Sequence, residues 1–121
     1  MPARIANITF DCSDALRLGT FWAEVLGRQL DDGGDIGFAS IGRSDSERSV
    51  SAWFFEKVPE SKGAKNRLHL DLVDPDPNAI DRLEALGATI MAVHEFGTHR
   101  WTVLQDPEGN EFCISEISYT G

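Results

Sequence analysis

Two segments of the chain alternate between apolar and polar residues, and they lie 60 positions apart. Asn7–Cys12 is the first and Arg67–Leu72 is the second. A period of two places the apolar side chains of a strand on one face and the polar side chains on the other. Each segment therefore predicts a half-buried strand that opens a structural repeat.

A helical pattern follows each of these strands. Apolar residues recur at spacings of three and four from Leu18 to Leu26, and again from Ala79 to Leu86. Both patterns end in Leu-Gly, where Gly27 and Gly87 can adopt the left-handed conformation that ends a helix. The predicted N-terminal residues are Ser13 or Asp14 as the cap of the first helix, and Asp76 followed by Pro77 for the second.

Three strand-like segments then complete each half. They cover residues 28–31, 36–41 and 50–58 in the first half, and 89–95, 100–105 and 111–118 in the second. The sequence predicts an α+β fold in which tandem βαβββ modules form a curled mixed sheet, or partial barrel, with the helices outside. We expect one domain over 1–121, with modules at about 5–58 and 67–118 and a linker at 59–66. A module of roughly 60 residues buries little surface alone, so the halves are expected to share one sheet and one core.

Charge and composition exclude several classes of function. The 121 residues carry a net charge of −9, and 41% of them are hydrophobic. Such an acidic surface repels phosphate backbones and anionic lipids, so we expect no nucleic-acid partner and no membrane partner. No apolar run reaches the ~18 residues that a membrane-spanning helix needs.

The two cysteines and the N-terminus indicate a location. Two cysteines do not make a disulfide framework for a secreted scaffold of this size. The first residues become polar too soon for a signal peptide. We therefore expect a reduced, cytoplasmic environment.

The order of these features resembles a known superfamily. The helix end Phe21–Gly27, the turn Asp106–Asn110 and the paired βαβββ modules resemble the vicinal oxygen chelate superfamily, which includes glyoxalase I, extradiol dioxygenases and bleomycin-binding proteins. The segments Lys65–Leu72 and Gly109–Cys113 are most similar to small bacterial glyoxalase-like domain proteins. The resemblance covers about residues 5–118 and implies the fold, but one fold of this kind serves several activities.

The same resemblance implies where a metal would bind. Metal-dependent members place one ligand on the first and last strand of each module, and counting from the repeat places these positions at Asn7, Trp53, Arg67 and Cys113. Arginine keeps its proton and tryptophan offers no lone pair, so these residue types do not fit a metal site. We therefore expect no metal at this position, no cofactor, and none of the glyoxalase I chemistry that depends on a metal ion.

A polar face of the sheet remains as a candidate site. If Phe10 and Leu70 pack against the helices, alternation places the neighbouring polar residues on the opposite face. A face with aromatic walls and a few charged groups is typical of a small-molecule pocket, although the same residues could face solvent or a dimer interface. The predicted ligand-binding residues are Thr9, Asp11, Trp53, Phe55, Arg67, Asp71, Trp101, Glu111 and Cys113, with Ser115 on the same face.

His69 is the candidate catalytic residue. Arg67 and Asp71 flank it on the same face, so the imidazole could act as a general base oriented by a carboxylate, or only link strands by hydrogen bonds. Arg67 could bind an anionic group of a ligand, or pair internally with an acid such as Glu111. Trp101 opens a strand and is either a cavity wall or part of the core.

The remaining reactive residue types have simpler interpretations. Cys113 has no basic residue near it in sequence, so packing is favoured over a role as nucleophile. His94 and His99 bracket a turn containing Gly97, and their spacing matches no metal motif, so a solvated loop is expected. Cys12 is expected in the core.

Two hypotheses about function follow from the sequence. One is a metal-independent protein that binds a small organic molecule, preferably a cationic or amphipathic one because the chain is acidic. The other is an enzyme for a small molecule, with His69 as general base or with an atypical metal site. A domain that only dimerises is a third possibility. A homodimer is implied by the resemblance.

Overall fold

The order of helices and strands repeats in the two halves of the chain. The computed structural model describes residues 2–44 and 51–116, which contain two helices and seven strands. The first half holds β1 (Asn7–Cys12), α1 (Ala15–Leu26), β2 (Phe38–Ile41) and β3 (Ala52–Lys57). The second half holds β4 (Leu70–Val73), α2 (Ala79–Leu86), β5 (Thr89–Phe96), β6 (His99–Gln105) and β7 (Glu111–Ser115).

The strands form two mixed sheets rather than one. Sheet A has the order β1-β3-β2, and sheet B has the order β4-β7-β6-β5. β1 pairs with β3 in parallel, as β4 does with β7, and the other pairs are antiparallel. The α+β class is confirmed, but the prediction of one shared sheet is wrong for the described strands. The chain divides into two compact units, 1–61 and 62–121, at a boundary inside the predicted linker.

The predicted strand at residues 28–31 is reduced to a single bridge between Leu30 and Ile41. The Asp31 backbone N–H donates a hydrogen bond to the Ser40 carbonyl at 2.9 Å, and the Asp31 carboxylate accepts hydrogen bonds from the Ser40 hydroxyl at 2.7 Å and from the backbone N–H of Arg43 at 2.9 Å. Residue 50 and residues 117–118, predicted as strand ends, lie outside the described residues.

Helix α1 packs against one face of sheet A. Asp14 caps it by accepting a hydrogen bond from the Arg17 N–H at 3.0 Å, and Gly27 ends it with a φ of 63°. Leu18 is fully buried and Trp22 is nearly so. The Trp22 ring lies 5.7 Å from that of Phe10 on β1. The core of unit 1 therefore lies between α1 and sheet A.

Helix α2 is shorter and covers its sheet less. It begins at Ala79, later than predicted, because the Asp76 carboxylate accepts a hydrogen bond from the Asn78 N–H at 2.9 Å and forms a turn before the helix. Only Ala79 and Leu83 of this helix are buried, and α2 makes no approach to a strand as close as that of α1 within the described residues. The core of unit 2 is formed mainly by Leu104 and Phe112.

Neither helix in residues 2–44 and 51–116 has the length and apolar character that crossing a bilayer requires.

Candidate functional site

Sheet B has one face toward α2 and one polar face. Thr102 pairs with Ile114, and both border the same cavity as residues of α2. Their neighbours along the strands, Val103 and Cys113, pair with each other and therefore lie on the opposite face. The "polar face of unit 2" denotes this opposite face, which carries His69, Asp71, Cys113, Val103, Trp101 and His94.

Asp71 joins the two polar strands of this face. It lies directly across from Cys113 in the parallel pair of β4 and β7. The Nε2 atom of His69 is 3.5 Å from Asp71 Oδ1. One donor atom from each of the three residues lies within 4.8 Å of the others. A nitrogen, an oxygen and a sulfur donor are thus gathered at one point.

The thiol of Cys113 is kept in its neutral form. Its burial raises the pKa of the thiol, and the charge of Asp71 and a hydrogen bond to Asp71 raise it further, against a smaller opposite effect of Lys65. A protonated thiol is a weak nucleophile. The environment of Cys113 therefore agrees with the interpretation that it packs and donates a hydrogen bond.

Glu111 binds the segment before β4 through a hydrogen bond and an ion pair. Its carboxylate accepts a hydrogen bond from the Asn66 N–H at 2.6 Å and pairs with Lys62 Nζ at 3.1 Å. Burial alone would raise the pKa of Glu111, but these bonds, one from Gln105 and the charge of Lys62 lower it. Lys62 therefore pairs with Glu111, which the sequence had offered as a possible partner of Arg67. Glu111 therefore holds the segment before β4, and His69 is the last residue of that segment.

An aromatic surface lies next to the polar cluster. The rings of His94 and Trp101 are stacked with centroids 5.5 Å apart, on directly paired positions of β5 and β6. His94 and His99 belong to these two strands, so the exposed turn expected between them is shorter than predicted. The turn itself is only Gly97 and Thr98, with Gly97 at a φ of 62°. The polar face of unit 2 is therefore half aromatic and half polar.

The corresponding face of unit 1 differs from the prediction. Thr9 and Asp11 are exposed and alternate with Phe10, which packs against α1, as the periodicity indicated. Their direct partners on β3 are Phe54 and Glu56. The polar face of unit 1 therefore includes an aromatic ring and a carboxylate that the sequence reasoning missed.

The prediction that Trp53 and Phe55 line this face is wrong. Phe55 is completely buried, and a side chain added at Gly19 of α1 would lie 3.2 Å from its ring. The Trp53 ring lies 5.3 Å from that of Trp22 on the same helix. Trp53 and Phe55 lie on the same face of β3, and Phe54 lies on the other. Both Trp53 and Phe55 therefore belong to the core of unit 1.

The error has a specific origin. Phe10 pairs with Phe55 in unit 1, and Leu70 pairs with Phe112 in unit 2. The last strands therefore correspond at an offset of 57 positions, although the first strands correspond at 60. The counterpart of Cys113 is Glu56, not Trp53. Matching the most apolar residues of the two last strands would have revealed this.

The other predicted residues are placed more simply. Asn7 lies on β1, where its side-chain amide donates a hydrogen bond to the Thr9 hydroxyl at 2.8 Å. Arg67 is exposed in the segment before β4. Ser115 ends β7 and borders the cavity under α2. Neither Asn7 nor Arg67 belongs to the cluster around Asp71.

The donor set around Asp71 fits a metal better than the predicted positions do. Imidazole, carboxylate and thiolate are together typical ligands of a borderline divalent ion such as zinc. Three protein ligands leave a coordination position open for another molecule. Binding would require Cys113 to release its proton. The residues that would hold an ion are His69, Asp71 and Cys113.

Comparisons with known proteins agree with the fold. The model of the glyoxalase-like domain family matches residues 7–115. No curated protein matches the chain.

Several solved structures share the fold. A glyoxalase/bleomycin resistance protein/dioxygenase family enzyme from Burkholderia phytofirmans PsJN is 25% identical, with a TM-score of 0.66 over 93% of this chain and 97% of that one. The fosfomycin resistance protein FosX from Listeria monocytogenes, complexed with Mn(II) and a dihydroxypropylphosphonic acid, is 12% identical, with a TM-score of 0.73 over 98% and 94%. The bleomycin-binding protein of Streptomyces verticillus, complexed with copper(II)-bleomycin, is 20% identical, with a TM-score of 0.60 over 98% and 99%.

The family match spans both units and includes every strand and helix described above. The chain therefore belongs to the glyoxalase-like domain family, within the vicinal oxygen chelate superfamily.

Proposed function

We propose that the chain binds a small organic molecule on the polar face of unit 2. The observation that carries this proposal is the position of the His94–Trp101 stack on the same face as the cluster of His69, Asp71 and Cys113. Aromatic surface provides contact area for an apolar or planar portion of a ligand, and a few convergent polar groups fix its orientation. The bleomycin-binding protein and FosX are neighbours whose solved structures hold small molecules.

The groups on this face favour a ligand with an aromatic portion and a hydrogen-bond donor. The side chain of Asp71 is 60% exposed, so its carboxylate can accept a bond from a ligand as well as from Cys113. The net charge of −9 attracts cations over a long range. An aromatic amine or amidine therefore fits this face better than an aromatic carboxylate does.

Matched aromatic probes test this proposal. Benzamidine and benzoate share a ring and differ in charge, and each is titrated while the amide and indole resonances are recorded by NMR. We expect benzamidine to shift the Trp101 indole resonance and the Cys113 amide, and benzoate to have a weaker effect. Asp71→Asn should reduce the affinity for benzamidine about tenfold, equivalent to about 1.4 kcal/mol. Shifts that avoid the polar face of unit 2 for both probes would contradict the proposal.

A second candidate function is proton transfer by His69. The Asp71 oxygen at 3.5 Å can orient the imidazole toward a substrate. His69 is 42% exposed and is therefore accessible to a substrate. His69→Ala would then retain binding of the aromatic probes but lose turnover of any substrate found. Unchanged turnover in His69→Ala would exclude this role.

The same cluster offers a metal-dependent form of this second function. His69, Asp71 and Cys113 would hold the ion, which would supply Lewis acidity toward a carbonyl or phosphoryl oxygen. Metal content and cobalt absorption are measured for the intact chain, for Cys113→Ser and for the matched variant Cys12→Ser. Cys12 is the chain's other cysteine, is buried in unit 1 and is not part of the cluster. A stoichiometric metal that is lost only in Cys113→Ser would establish the metal site and would contradict metal-free binding.

We also propose that the chain forms a homodimer. β5 is an edge strand of sheet B, and seven of its eight residues are exposed. Met91, Val93 and Phe96 expose about half of their surface or more. A long apolar edge is a template for pairing with another strand. A second copy of the chain would cover it.

A further inference from the structure

The space between α2 and sheet B forms a cavity of about 440 Å³. This volume lies within the range of pockets that bind small molecules. Thr102 and Ile114 border the cavity from the sheet, on the face opposite to Cys113. The cavity is therefore separate from the candidate site on the polar face of unit 2.

The repeat explains why the cavity exists. The glycines that end α1 and α2 correspond at an offset of 60, and this offset gives the counterparts of the residues with which α1 fills unit 1. Leu18 and Trp22 are completely or nearly completely buried in α1. Their counterparts in unit 2 are Asn78 and Arg82, which are both exposed. Unit 2 thus lacks the side-chain volume that closes the same space in unit 1.

The floor of the cavity is apolar. Ala79 and Ile80 of α2 border it from above, and Ile114 of β7 borders it from the sheet. Ala79 and Ile114 are buried among the surrounding residues, so they form a fixed surface. An aliphatic chain that covers this surface gains free energy because apolar area leaves water.

Three neighbouring strands carry a row of charged residues along one rim of the cavity. The register that pairs Thr102 with Ile114 places Arg100 beside Glu116, two residues farther along β6 and β7. The register of β4 and β7, continued by one residue, places Asp74 on the other side of Glu116. All three charged residues border the cavity. Glu116 therefore lies between an acid and a base on the face that α2 covers.

The acid on this rim is already ionised and already paired. The hydrogen bond from the Asp76 N–H lowers the pKa of Asp74, and the contact with Arg82 lowers it further, against the opposite effect of burial. Arg82 Nη2 lies 2.8 Å from an oxygen of Asp74 and 3.4 Å from one of Asp76. One guanidinium is thus shared by two carboxylates, and this group of three keeps a negative charge.

Arg100 is shared in the same way. It lies 4.0 Å from Glu95 on β5, and both side chains are 70% exposed. An exposed pair of this kind is weak. Arg100 therefore neutralises its other neighbour, Glu116, only in part. The carboxylates of Glu116 and Asp74 are consequently adjacent on strands roughly 5 Å apart, an arrangement that is unfavourable until a cation lies beside them.

We propose that this cavity binds an aliphatic primary amine. The ammonium group lies beside Asp74 and Glu116, and the carbon chain lies over Ile80 and Ile114. An ammonium group has three hydrogen-bond donors and can serve both carboxylates at once. A ligand with a carboxylate in the same place would face the two acids and is disfavoured.

Three probes with the same six-carbon chain test the proposal. They are hexylamine, 1-hexanol and hexanoate, each titrated into the intact chain while the isoleucine methyl and tryptophan indole resonances are recorded by NMR. We expect hexylamine to shift the methyl groups of Ile80 and Ile114 and to bind about tenfold more tightly than hexanoate, with hexanol between them. Hexanoate that binds as tightly as hexylamine, or hexylamine that leaves both methyl groups unmoved, would overturn the proposal.

A variant of the rim separates the charge from the apolar contact. Glu116→Gln should weaken hexylamine about fivefold and leave hexanol unchanged, because only the amine contacts the carboxylate. Glu24→Gln removes the same charge from an exposed position of α1 in unit 1 and is the matched control. If Glu116→Gln weakens hexylamine and hexanol equally, or if Glu24→Gln has the same effect as Glu116→Gln, the ammonium contact is refuted.

A variant of the floor tests the cavity itself. Thr102→Ile suits a strand and places a larger side chain in the cavity, so it should abolish the methyl shifts from all three probes. Hexylamine that still shifts Ile80 and Ile114 in a folded Thr102→Ile protein would place the chain elsewhere. If this variant does not fold, the comparison of Glu116→Gln with Glu24→Gln still decides the outcome.

The outcome is independent of the function proposed for the polar face of unit 2. Benzamidine reports on the Trp101 indole there, whereas hexylamine reports on the methyl groups of Ile80 and Ile114. Hexylamine that shifts the two methyl groups, with benzamidine leaving the indole unmoved, would support the cavity and contradict the polar-face proposal. The reverse result would do the opposite.

Discussion

Asp71 accepts a hydrogen bond from the thiol of Cys113, its direct partner across the parallel strands β4 and β7. The same carboxylate lies 3.5 Å from Nε2 of His69. One acid on the edge strand of sheet B thus sets the protonation of a thiol and the orientation of an imidazole. Both properties depend on the negative charge of Asp71.

Replacing Asp71 should make Cys113 more reactive. The charge of Asp71 and the hydrogen bond to it raise the pKa of the Cys113 thiol, so Asp71→Asn lowers this pKa and increases the thiolate fraction at neutral pH. The measurement is the rate of alkylation by iodoacetamide as a function of pH, in a Cys12→Ser background. We expect the midpoint of the profile to move to lower pH. A change in the plateau rate with an unchanged midpoint would indicate altered access instead.

Glu111 should contribute stability that acid removes. Its side chain is 11% exposed, and hydrogen bonds from Asn66 and Lys62 contribute to a pKa below its ordinary value of 4.5. A carboxyl group with a lowered pKa in the folded state stabilises the fold above its unfolded pKa, and this contribution is lost as the pH falls through the folded pKa. Glu111→Gln should therefore cost about 1–3 kcal/mol at pH 7.

Urea unfolding at several pH values measures this effect. The difference in free energy of unfolding between the intact chain and Glu111→Gln should be largest at neutral pH. It should shrink as the pH falls below 4.5 and toward the folded pKa. Glu108→Gln is a control on the preceding turn. A difference that stays constant with pH would show that Glu111 acts by its shape rather than by its charge.

Much of the fold could be predicted from local patterns. The glycines at 27 and 87 end both helices with positive φ angles, and β1 covers Asn7–Cys12 as its alternation predicted. Alternation and helix ends depend on residues close in sequence, which is why they were visible. The start of α2 was mistaken because a side-chain turn at Asp76 competed with a helix cap.

The candidate site was predicted less completely. The pairing of Asp71 with Cys113 depends on the register between strands that are far apart in sequence. The sequence repeat sets a register only if every loop has the same length in both halves. The first strands of the two halves correspond at an offset of 60 and the last strands at an offset of 57, so the loops differ in length. For this reason Glu56 was overlooked and Trp53 was chosen. Long-range register is the information that the periodicity lacks.

Gly19 should tolerate alanine poorly, although alanine favours helices. A Cβ atom at this position would lie 3.1 Å from Leu30, 3.2 Å from Ala39 and 3.2 Å from the ring of Phe55. Overpacking of this kind costs about 1–3 kcal/mol, more than the helix propensity of alanine returns. Its counterpart in α2 is Ala79, where the cavity leaves room for the methyl group.

Thermal unfolding of Gly19→Ala tests this prediction. We expect a lower melting temperature than that of the intact chain. Glu24→Ala, on the exposed side of the same helix, should change it little. An increase in the melting temperature of Gly19→Ala would mean that α1 can move away from sheet A at little cost.

The edge of sheet B should be the dimer interface. β5 exposes Val93 and Met91 along an unpaired edge, and its acid Glu95 has Arg100 beside it at 4.0 Å. This stretch is therefore close to neutral in a chain of net charge −9, which lets two copies approach. Val93→Lys places a charged side chain on the edge, a device that prevents strand pairing in natural sheets. We expect light scattering to give the mass of two chains for the intact protein and of one chain for Val93→Lys.

The charge introduced by this variant makes the test more decisive. Lysine lowers the net negative charge, so general repulsion between copies becomes weaker rather than stronger. Loss of the dimer in Val93→Lys therefore identifies the edge itself as the contact. Ala85→Lys, at an exposed position of α2, is the matched control and should remain dimeric. A dimer that persists in Val93→Lys would place the interface elsewhere, and a monomeric intact chain would refute the homodimer.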